Sequence, residues 1–332
     1  MTFSFKATTR VLTIALLWGT SPVHALIIND DDFIANGGDL SNIRGTIANA
    51  MDSYRRASYM PPFLAVGRLV LPGGLCTGTW LGNSHDGNHT YILTAAHCVG
   101  RDYNEGKPLV GNFKALFIDW NKRLIGQNGV VYVPVIRNED GYGHASTDIA
   151  ILKMNRKGDI LDAEGQAIVK PLINTRTNEA GKQVWMAGYG AWGTGTSGEN
   201  IRYQPTYHLV ERRALASSKI HMHYLERDRA MSAGFIPNLT SPYQARTSSG
   251  DGGSAWWLRN DSGQWVIAGV TSGSTSYASI ATRTKMYADW LQHHYQELAT
   301  DSKPMTDHKS CDDACRCHAP RCNTIVGSMS DV

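Results

Sequence analysis

The sequence lacks the features that mark a nucleic-acid-binding or a membrane-spanning protein. Its 332 residues contain no run of five like charges and no stripe of basic and aromatic side chains, and the formal net charge is only +3. A charge this small gives no electrostatic footprint for nucleic acid or for a membrane surface. Beyond the first 25 residues, no segment is long and apolar enough to cross a bilayer. We therefore expect no nucleic-acid partner and no membrane-spanning segment.

Cofactor motifs are also absent. The spacing of Gly188, Gly190 and Gly193 matches that of a dinucleotide-binding loop, but such a loop needs a helix directly after it, whose N-terminus binds the pyrophosphate. Residues 194–198 read Thr-Gly-Thr-Ser-Gly and continue as another loop. We therefore predict no cofactor.

The N-terminus has the pattern of a secretory signal peptide. Lys6 and Arg10 give a basic start, residues 11–18 form an apolar core too short to span a bilayer, and a small-residue cleavage site ends at Ala25. The alternative is a buried N-terminal helix. We predict that residues 1–25 are removed and that the protein is secreted, to the periplasm or to the extracellular space.

Export to an oxidising compartment favours disulfide bonds, and the cysteine count is even. The six cysteines divide into two in the body and four in the tail: Cys76, Cys98, Cys311, Cys315, Cys317 and Cys322. We predict one disulfide in the body and two in a Cys-rich C-terminal extension, residues 300–332. Together with His318 the tail cysteines could bind zinc, but their spacing fits no common zinc pattern, so we predict no metal site.

The remaining chain predicts an all-β protein with a polar leader at residues 26–60. Short β-forming runs alternate with turns from residue 63 onward, and the polar residues 174–182 separate two such series. Within the leader, helical spacing predicts an amphipathic helix at about 42–57 with Ser41 as its N-cap; a disordered propeptide is the alternative. Apolar side chains at helical spacing predict a terminal helix: Tyr287, Trp290, Leu291, His294 and Leu298.

Two residues are candidates for catalysis. His97 is the fifth residue of the motif Leu-Thr-Ala-Ala-His-Cys, and a disulfide from Cys98 to Cys76 would anchor it rigidly, as a general base requires. Asp148 lies 51 residues after His97, just before an apolar run. It would hold the tautomer of His97 by accepting a hydrogen bond from the ring N–H. An acidic cap at the start of a strand is the alternative for Asp148.

These residues resemble those of the trypsin-like (chymotrypsin-fold) serine proteases, over residues 61–299. The resemblance implies two six-stranded antiparallel β-barrels, at about 61–173 and 183–285, a terminal helix at 286–299, and protein or peptide substrates in the cleft between the barrels. It assigns the general base to His97, the orienting acid to Asp148 and the oxyanion-hole amides to Gly250 and Gly252. It also implies that Ser272 supports the aspartate, and that Ser272 and Gly273 border the substrate.

The nucleophile loop, residues 249–255, departs from the family pattern Gly-Asp-Ser-Gly-Gly or Gly-Asp-Ser-Gly-Ser. Aligning Gly250 and Asp251 places Gly252 where the nucleophilic serine belongs, and a glycine cannot form an acyl-enzyme. Ser254 and Ser249 are the neighbouring hydroxyls. Using Ser254 would place Trp256 where the family needs a small residue.

Three further departures concern the surroundings of this loop. No Ile-Val-Gly-Gly start precedes the first barrel, so Asp251 must find partners other than a new N-terminus. Ser248 replaces a usual cysteine. Arg246 falls at the floor of the specificity pocket, where it would favour acidic side chains if it points inward, and would be solvated if it points outward.

The sequence therefore leaves three hypotheses for function. The first is a secreted protease homologue, impaired or silent because Gly252 replaces the serine, that binds peptides or partners in its cleft. The second is an active serine endopeptidase that uses Ser254, or whose parent carries serine at position 252. The third is a toxin or binding subunit that acts on a protein or cell-surface partner through the Cys-rich tail.

Overall fold

A computed structural model describes residues 26–71, 74–99, 109–132, 145–195, 202–204, 213–223, 229–234, 243–275 and 277–302. The signal peptide predicted at residues 1–25 and the four tail cysteines lie outside these residues. Within them the chain is mostly β-strand, and no helix is long and apolar enough to cross a membrane.

The elements are numbered in chain order. The strands are β1 (Ile27–Ile28), β2 (Val66–Leu71), β3 (Gly74–Asn83), β4 (His89–Thr94), β5 (Leu109–Ile118), β6 (Leu124–Tyr132), β7 (Ala150–Asn155), β8 (Leu172–Ile173), β9 (Gln183–Gly188), β10 (Trp192–Thr194), β11 (Arg202–Gln204), β12 (Ala214–His223), β13 (Ala230–Gly234), β14 (Ala245–Arg246), β15 (Ala255–Arg259), β16 (Trp265–Ser274) and β17 (Ala278–Arg283). The helices are α1 (Asp30–Ala35), α2 (Ile43–Ala50), α3 (Asp52–Ala57), α4 (Ala96–Val99) and α5 (Ala288–His294), with 3₁₀ turns at Phe63–Ala65 and Thr284–Tyr287.

The first barrel is closed and contains six antiparallel strands in the order β2-β3-β4-β7-β6-β5. The interior of this barrel belongs to the first of two hydrophobic cores. Its fully buried side chains include Leu69, Ile92, Phe117 and Leu152. The alternation of short apolar runs and turns in the sequence therefore reflects strands that each present side chains to one enclosed interior.

The second barrel has the ring order β15-β9-β12-β13-β17-β16, and pairing of β15 with β16 closes it. Strand β8 adds to it in parallel beside β16. The predicted fold of two six-stranded antiparallel β-barrels is confirmed. The polar stretch 174–182 between them is anchored, because the buried carboxylate of Glu179 accepts two hydrogen bonds of 2.7 Å from the guanidinium of Arg283 in β17.

The predicted leader, residues 26–60, packs into the second hydrophobic core. Strand β1 pairs in parallel with β10 and antiparallel with β14, as an inner strand of a four-stranded sheet. Leu26, Ile27 and Ile28 are fully buried, and Phe33 and Met51 join the same core as residues of the second barrel. The described leader is thus part of the folded body.

The helix predicted at 42–57 is two helices, α2 and α3, which meet at Met51. Its cap is Asn42 rather than Ser41, since the Asn42 side chain accepts a hydrogen bond of 3.1 Å from the Gly45 N–H. Met51 has φ −92° and ψ 0°, which interrupts the α-helical backbone. The helical spacing in the sequence did not reveal this break.

The terminal helix is shorter than predicted. Helix α5 ends at His294, and the backbone of Tyr295 is already extended. The ring of Tyr295 stacks on Tyr91 with centroids 4.3 Å apart, and its hydroxyl donates a hydrogen bond of 3.0 Å to the carbonyl of Asn83. These contacts hold Tyr295 against the first barrel and draw the chain away from the helix axis.

The burial of β1 predicts that Ile28→Ala destabilises the protein by about 2–5 kcal/mol, because it leaves a cavity in a packed core. Ile34→Ala is the matched control, since Ile34 carries the same side chain nearby but is 52% exposed. The control should change the free energy of unfolding by less than about 0.5 kcal/mol. Urea denaturation measures both, and equal effects of the two substitutions would contradict the described packing of β1.

Candidate active site

His97 and Asp148 lie in direct contact. His97 is in α4, directly after β4, and Asp148 precedes β7, the strand that pairs with β4. The His97 ring lies with Nδ1 2.6 Å from Asp148 Oδ2, and the His97 backbone N–H donates to Oδ1 at 2.8 Å. Both carboxylate oxygens thus hold the same residue, which fixes the position of the imidazole.

Ser272 lies behind this pair, as the resemblance implied. Its hydroxyl in β16 donates a hydrogen bond of 2.6 Å to Asp148 Oδ2. The Asp148 side chain is 2% exposed, whereas that of His97 is 31% exposed. The acid is therefore shielded and fully hydrogen-bonded, while the imidazole remains accessible from the cleft.

The predicted disulfide between Cys76 and Cys98 is confirmed, with Cα atoms 6.0 Å apart. It joins β3 to α4 beside the histidine, and Cys98 Sγ lies 3.6 Å from His97 Nε2. Cys76, His97 and Cys98 bring potential metal ligands within 4.8 Å of one another. Because the two sulfur atoms are bonded together, they are not available as thiolates, and the cluster acts as an anchor for His97.

The nucleophile loop has glycine where its backbone requires it. Gly250 has φ +97°, and a Cβ there would lie 2.7 Å from the Cα of Gly190. Gly253 has φ +85°, and a Cβ there would overlap Thr94 Oγ1 and the carbonyl oxygen of Thr77. At Gly250 and Gly253 the loop therefore lies so close to other parts of the chain that no side chain fits.

The site also uses two threonines that the sequence analysis missed. Thr77 donates from its N–H to the Gly252 carbonyl at 2.8 Å and from its hydroxyl to the Gly250 carbonyl at 2.9 Å. Thr271 accepts from the Gly253 N–H at 2.8 Å. Their places in the sequence could have identified them, since Thr77 directly follows Cys76 and Thr271 directly precedes Ser272. The N–H groups of Gly250 and Gly252 donate no hydrogen bond to any residue that the structure describes.

Gly252 lies beside the imidazole. A Cβ built on Gly252 would be 2.5 Å from His97 Nε2, closer than real Cβ contacts. Its φ lies outside the left-handed region, so the backbone itself does not demand glycine at this position. The structure therefore brings His97, Asp148 and Gly252 together, and the imidazole lies against the space that a side chain at position 252 would need.

Ser254, the alternative nucleophile of the sequence analysis, faces a different environment. It is fully buried, and its Oγ lies 2.7 Å from Thr271 Oγ1, which also accepts from Trp256 Nε1 at 2.9 Å. None of its described contacts is with His97. This geometry makes Ser254 part of the hydrogen-bonded interior and argues against its use as a nucleophile.

The cleft beside His97 has a volume of about 350 Å³. Ser248, the exposed Ser249, Ser272 and Gly273 all line it, as do the two glycines predicted as oxyanion donors. Arg246 is buried and 6% exposed, so the alternative of a solvated Arg246 is wrong. Its Nη1 donates a hydrogen bond of 3.1 Å to Ser274 Oγ at the wall of the cleft.

Asp251 is a fully buried carboxyl without a salt-bridge partner among the described residues. The N–H groups of Gly190 and Ser248 donate to its two oxygens, each at 3.1 Å. Burial disfavours the charged form and raises the pKa of Asp251 from its ordinary 3.8 to about 7, although the two amide hydrogen bonds act in the opposite direction.

The sign of this shift gives a pH dependence of stability. Since the pKa of Asp251 is higher in the folded protein, its contribution to stability is largest below pH 4 and is lost as the pH rises towards 7. In the Asp251→Asn variant the side chain does not titrate, so this loss of stability with rising pH is absent. Urea titrations at pH 5 and pH 8 should show the variant gaining roughly 2–3 kcal/mol relative to the parent over this interval. A constant difference at both pH values would disprove the raised pKa.

The chain is also similar to known proteins. A family model described as Trypsin matches residues 63–291, which is more than half of the chain. The tryptase of Mus musculus is 25% identical over 217 residues, covering 62% of this chain and 74% of that protein.

Two solved structures also align with the chain. Mouse neuropsin, a serine protease expressed in the limbic system, has 19% identity and a TM-score of 0.46, covering 69% of this chain and 93% of neuropsin. Human heparin binding protein has 16% identity and a TM-score of 0.47, covering 73% of this chain and 95% of that protein. On the family match over residues 63–291, this chain belongs to the trypsin family of serine proteases.

Proposed function

We propose that this protein is a secreted trypsin-family member that binds peptide segments in its cleft and does not hydrolyse them by the covalent mechanism of its family. The observation that carries the proposal is the position of Gly252 beside His97: residue 252 has no side chain and therefore brings no hydroxyl to Nε2. An acyl-enzyme forms on the side-chain hydroxyl oxygen of the residue at this position, and glycine has no side chain to supply one.

The other parts of the site support peptide binding. The Gly250 and Gly252 N–H groups are available to a peptide carbonyl oxygen, and in a protease they would stabilise the oxyanion. Asp148 holds the imidazole of His97 in place through Nδ1. Such a site without its nucleophile retains roughly a thousandfold acceleration over water, far below useful turnover.

Hydrolysis by a neighbouring serine is the second candidate. Ser254 would have to leave its hydrogen bond with Thr271 and its buried position, and Ser249 lies on the other side of the amide donors in the loop. A chain whose parent carries serine at position 252 would need a small shift of the His97 imidazole, because a Cβ at this position lies 2.5 Å from His97 Nε2. The hypothesis of a tail that binds a partner concerns Cys311 to Cys322, outside the described residues.

The first test is labelling of the purified protein with a fluorophosphonate probe, which reacts with activated serines. We expect no labelling and no release of fluorescent peptides from casein. Stoichiometric labelling of any serine would overturn the proposal, and mass spectrometry of the labelled peptide would identify the residue.

The complementary test is Gly252→Ser. The new Cβ requires the imidazole of His97 to withdraw by about half an ångström or more, a movement open to the end of a side chain but resisted by its bond to Asp148. We expect this variant to label at residue 252. Gly252→Ala is the matched control, because it introduces the same Cβ without a hydroxyl and should not label. Labelling of Gly252→Ser that His97→Ala leaves unchanged would show that His97 is not the base.

A further inference from the structure

One buried arginine lies where the leader meets both barrels. Arg213 directly precedes β12, is fully buried, and forms no salt bridge with a carboxylate among the residues that the structure describes. Its Nη1 donates a hydrogen bond of 2.9 Å to the carbonyl of Val66, the first residue of β2, and its Nη2 has no described partner. A guanidinium stays protonated even in an apolar interior, so this charge is costly to bury. The groups that cover Arg213 therefore determine whether it stays inside.

The end of the leader provides this cover. Ser58 Oγ lies 2.9 Å from the carbonyl oxygen of Arg213 and 3.4 Å from its Nε. The guanidinium carbon lies over the ring of Tyr59, 5.1 Å from the ring centroid, which is within the range of a cation–π contact. If these two leader residues moved away, water would reach the guanidinium, and its hydration would favour leaving the interior.

Tyr189 connects Arg213 with the nucleophile loop. Its hydroxyl lies 3.4 Å from the carbonyl oxygen to which Arg213 donates. Burial raises the pKa of the Tyr189 hydroxyl, and the nearby charge of Arg213 acts in the opposite direction. The N–H of Tyr189 donates to Thr77 Oγ1 at 3.1 Å, and the N–H of the next residue, Gly190, donates to Asp251. The side chain of Tyr189 thus contacts the surroundings of Arg213, while the backbone beside it holds the loop.

We infer that Arg213 is a positioning residue for the cleft. Held inside by the end of the leader, it fixes Tyr189 and Gly190, which in turn hold the nucleophile loop in the conformation that lines the cleft. The leader is then a permanent part of the working protein, and its removal would loosen the cleft. This inference goes beyond the proposed function, because it holds whether the cleft binds peptides or hydrolyses them.

Hydrogen exchange of glycine amides, measured by NMR on the full chain isotope-labelled only at glycine, tests this coupling. Gly190 and Gly253 report on the loop, because their N–H groups donate to Asp251 and to the Thr271 carbonyl. Gly181 is the reference, since its N–H donates to a carbonyl near the other end of β12. Amides that open with the whole protein change in parallel, whereas a loosened loop changes its own two reporters.

Arg213→Met removes the charge and its hydrogen bonds. The two loop reporters should then exchange about tenfold faster or more relative to the reference, the factor expected for lost hydrogen bonds to a buried charged group. Met154→Ala is the control for lost stability, since Met154 is fully buried in β7 of the first barrel. This control should lower the free energy of unfolding without accelerating the loop reporters relative to the reference.

A second pair of variants decides the question where Arg213→Met does not fold. Tyr59→Leu removes the aromatic ring that covers the guanidinium and should accelerate the loop reporters severalfold relative to the reference. Tyr59→Phe keeps the face of the ring and should exchange like the parent. This conservative variant separates the contact with Arg213 from the other packing at position 59.

Two results would overturn the inference. The first is unchanged relative exchange of the loop reporters in a folded Arg213→Met, or in Tyr59→Leu where Arg213→Met does not fold. The second is an equal acceleration in Met154→Ala, which would show that lost stability is the cause. Since no peptide enters the measurement, either result leaves the proposed function standing, and a cleft that binds no peptide leaves this inference standing.

Discussion

The close approach of two backbones, β3 of the first barrel and the nucleophile loop of the second, is the constraint on which the site depends. Thr77 donates to the carbonyls of both Gly250 and Gly252, and Gly253 packs where a Cβ would overlap Thr77 and Thr94. These contacts determine the position of residue 252 relative to His97. A shift of one barrel relative to the other would break several of these hydrogen bonds at once. The positions of His97 and residue 252 are therefore fixed even without a ligand.

The three glycines of the loop differ in their physical causes. Positive φ and steric contact require glycine at positions 250 and 253, so a protease and a silent homologue need them equally. Neither φ nor contact with another backbone requires glycine at position 252, where the nearest atoms belong to the His97 ring. Gly252 is therefore the glycine of this loop whose missing side chain bears on chemistry rather than on folding.

Much of this site was predictable because its residues lie in short motifs with a local physical reason. His97 follows a strand and precedes a cysteine. Asp148 precedes β7, the strand that pairs with β4, and its order after His97 together with the resemblance to trypsin-like proteases favoured a catalytic role over an acidic strand cap. The positions that escaped prediction depend on distant partners. The hydroxyl of Ser254 is held by Thr271, the burial of Arg246 involves β1, and helix α5 ends where Tyr295 stacks on Tyr91. A linear pattern carries no signal for such contacts, because each is decided by packing after the strands have paired.

The small strand β1 has a consequence for the order in which the chain folds. Its partners are residues 193–194 and 245–246, so the apolar residues 26–28 are made early and buried only after most of the chain exists. The first barrel has all its strands within residues 66–155 and can close during synthesis. The N-terminal segment must wait, with apolar surface exposed, until strands far along the chain arrive. Completion of the fold is therefore a long-range event that joins the beginning of the described chain to its second half.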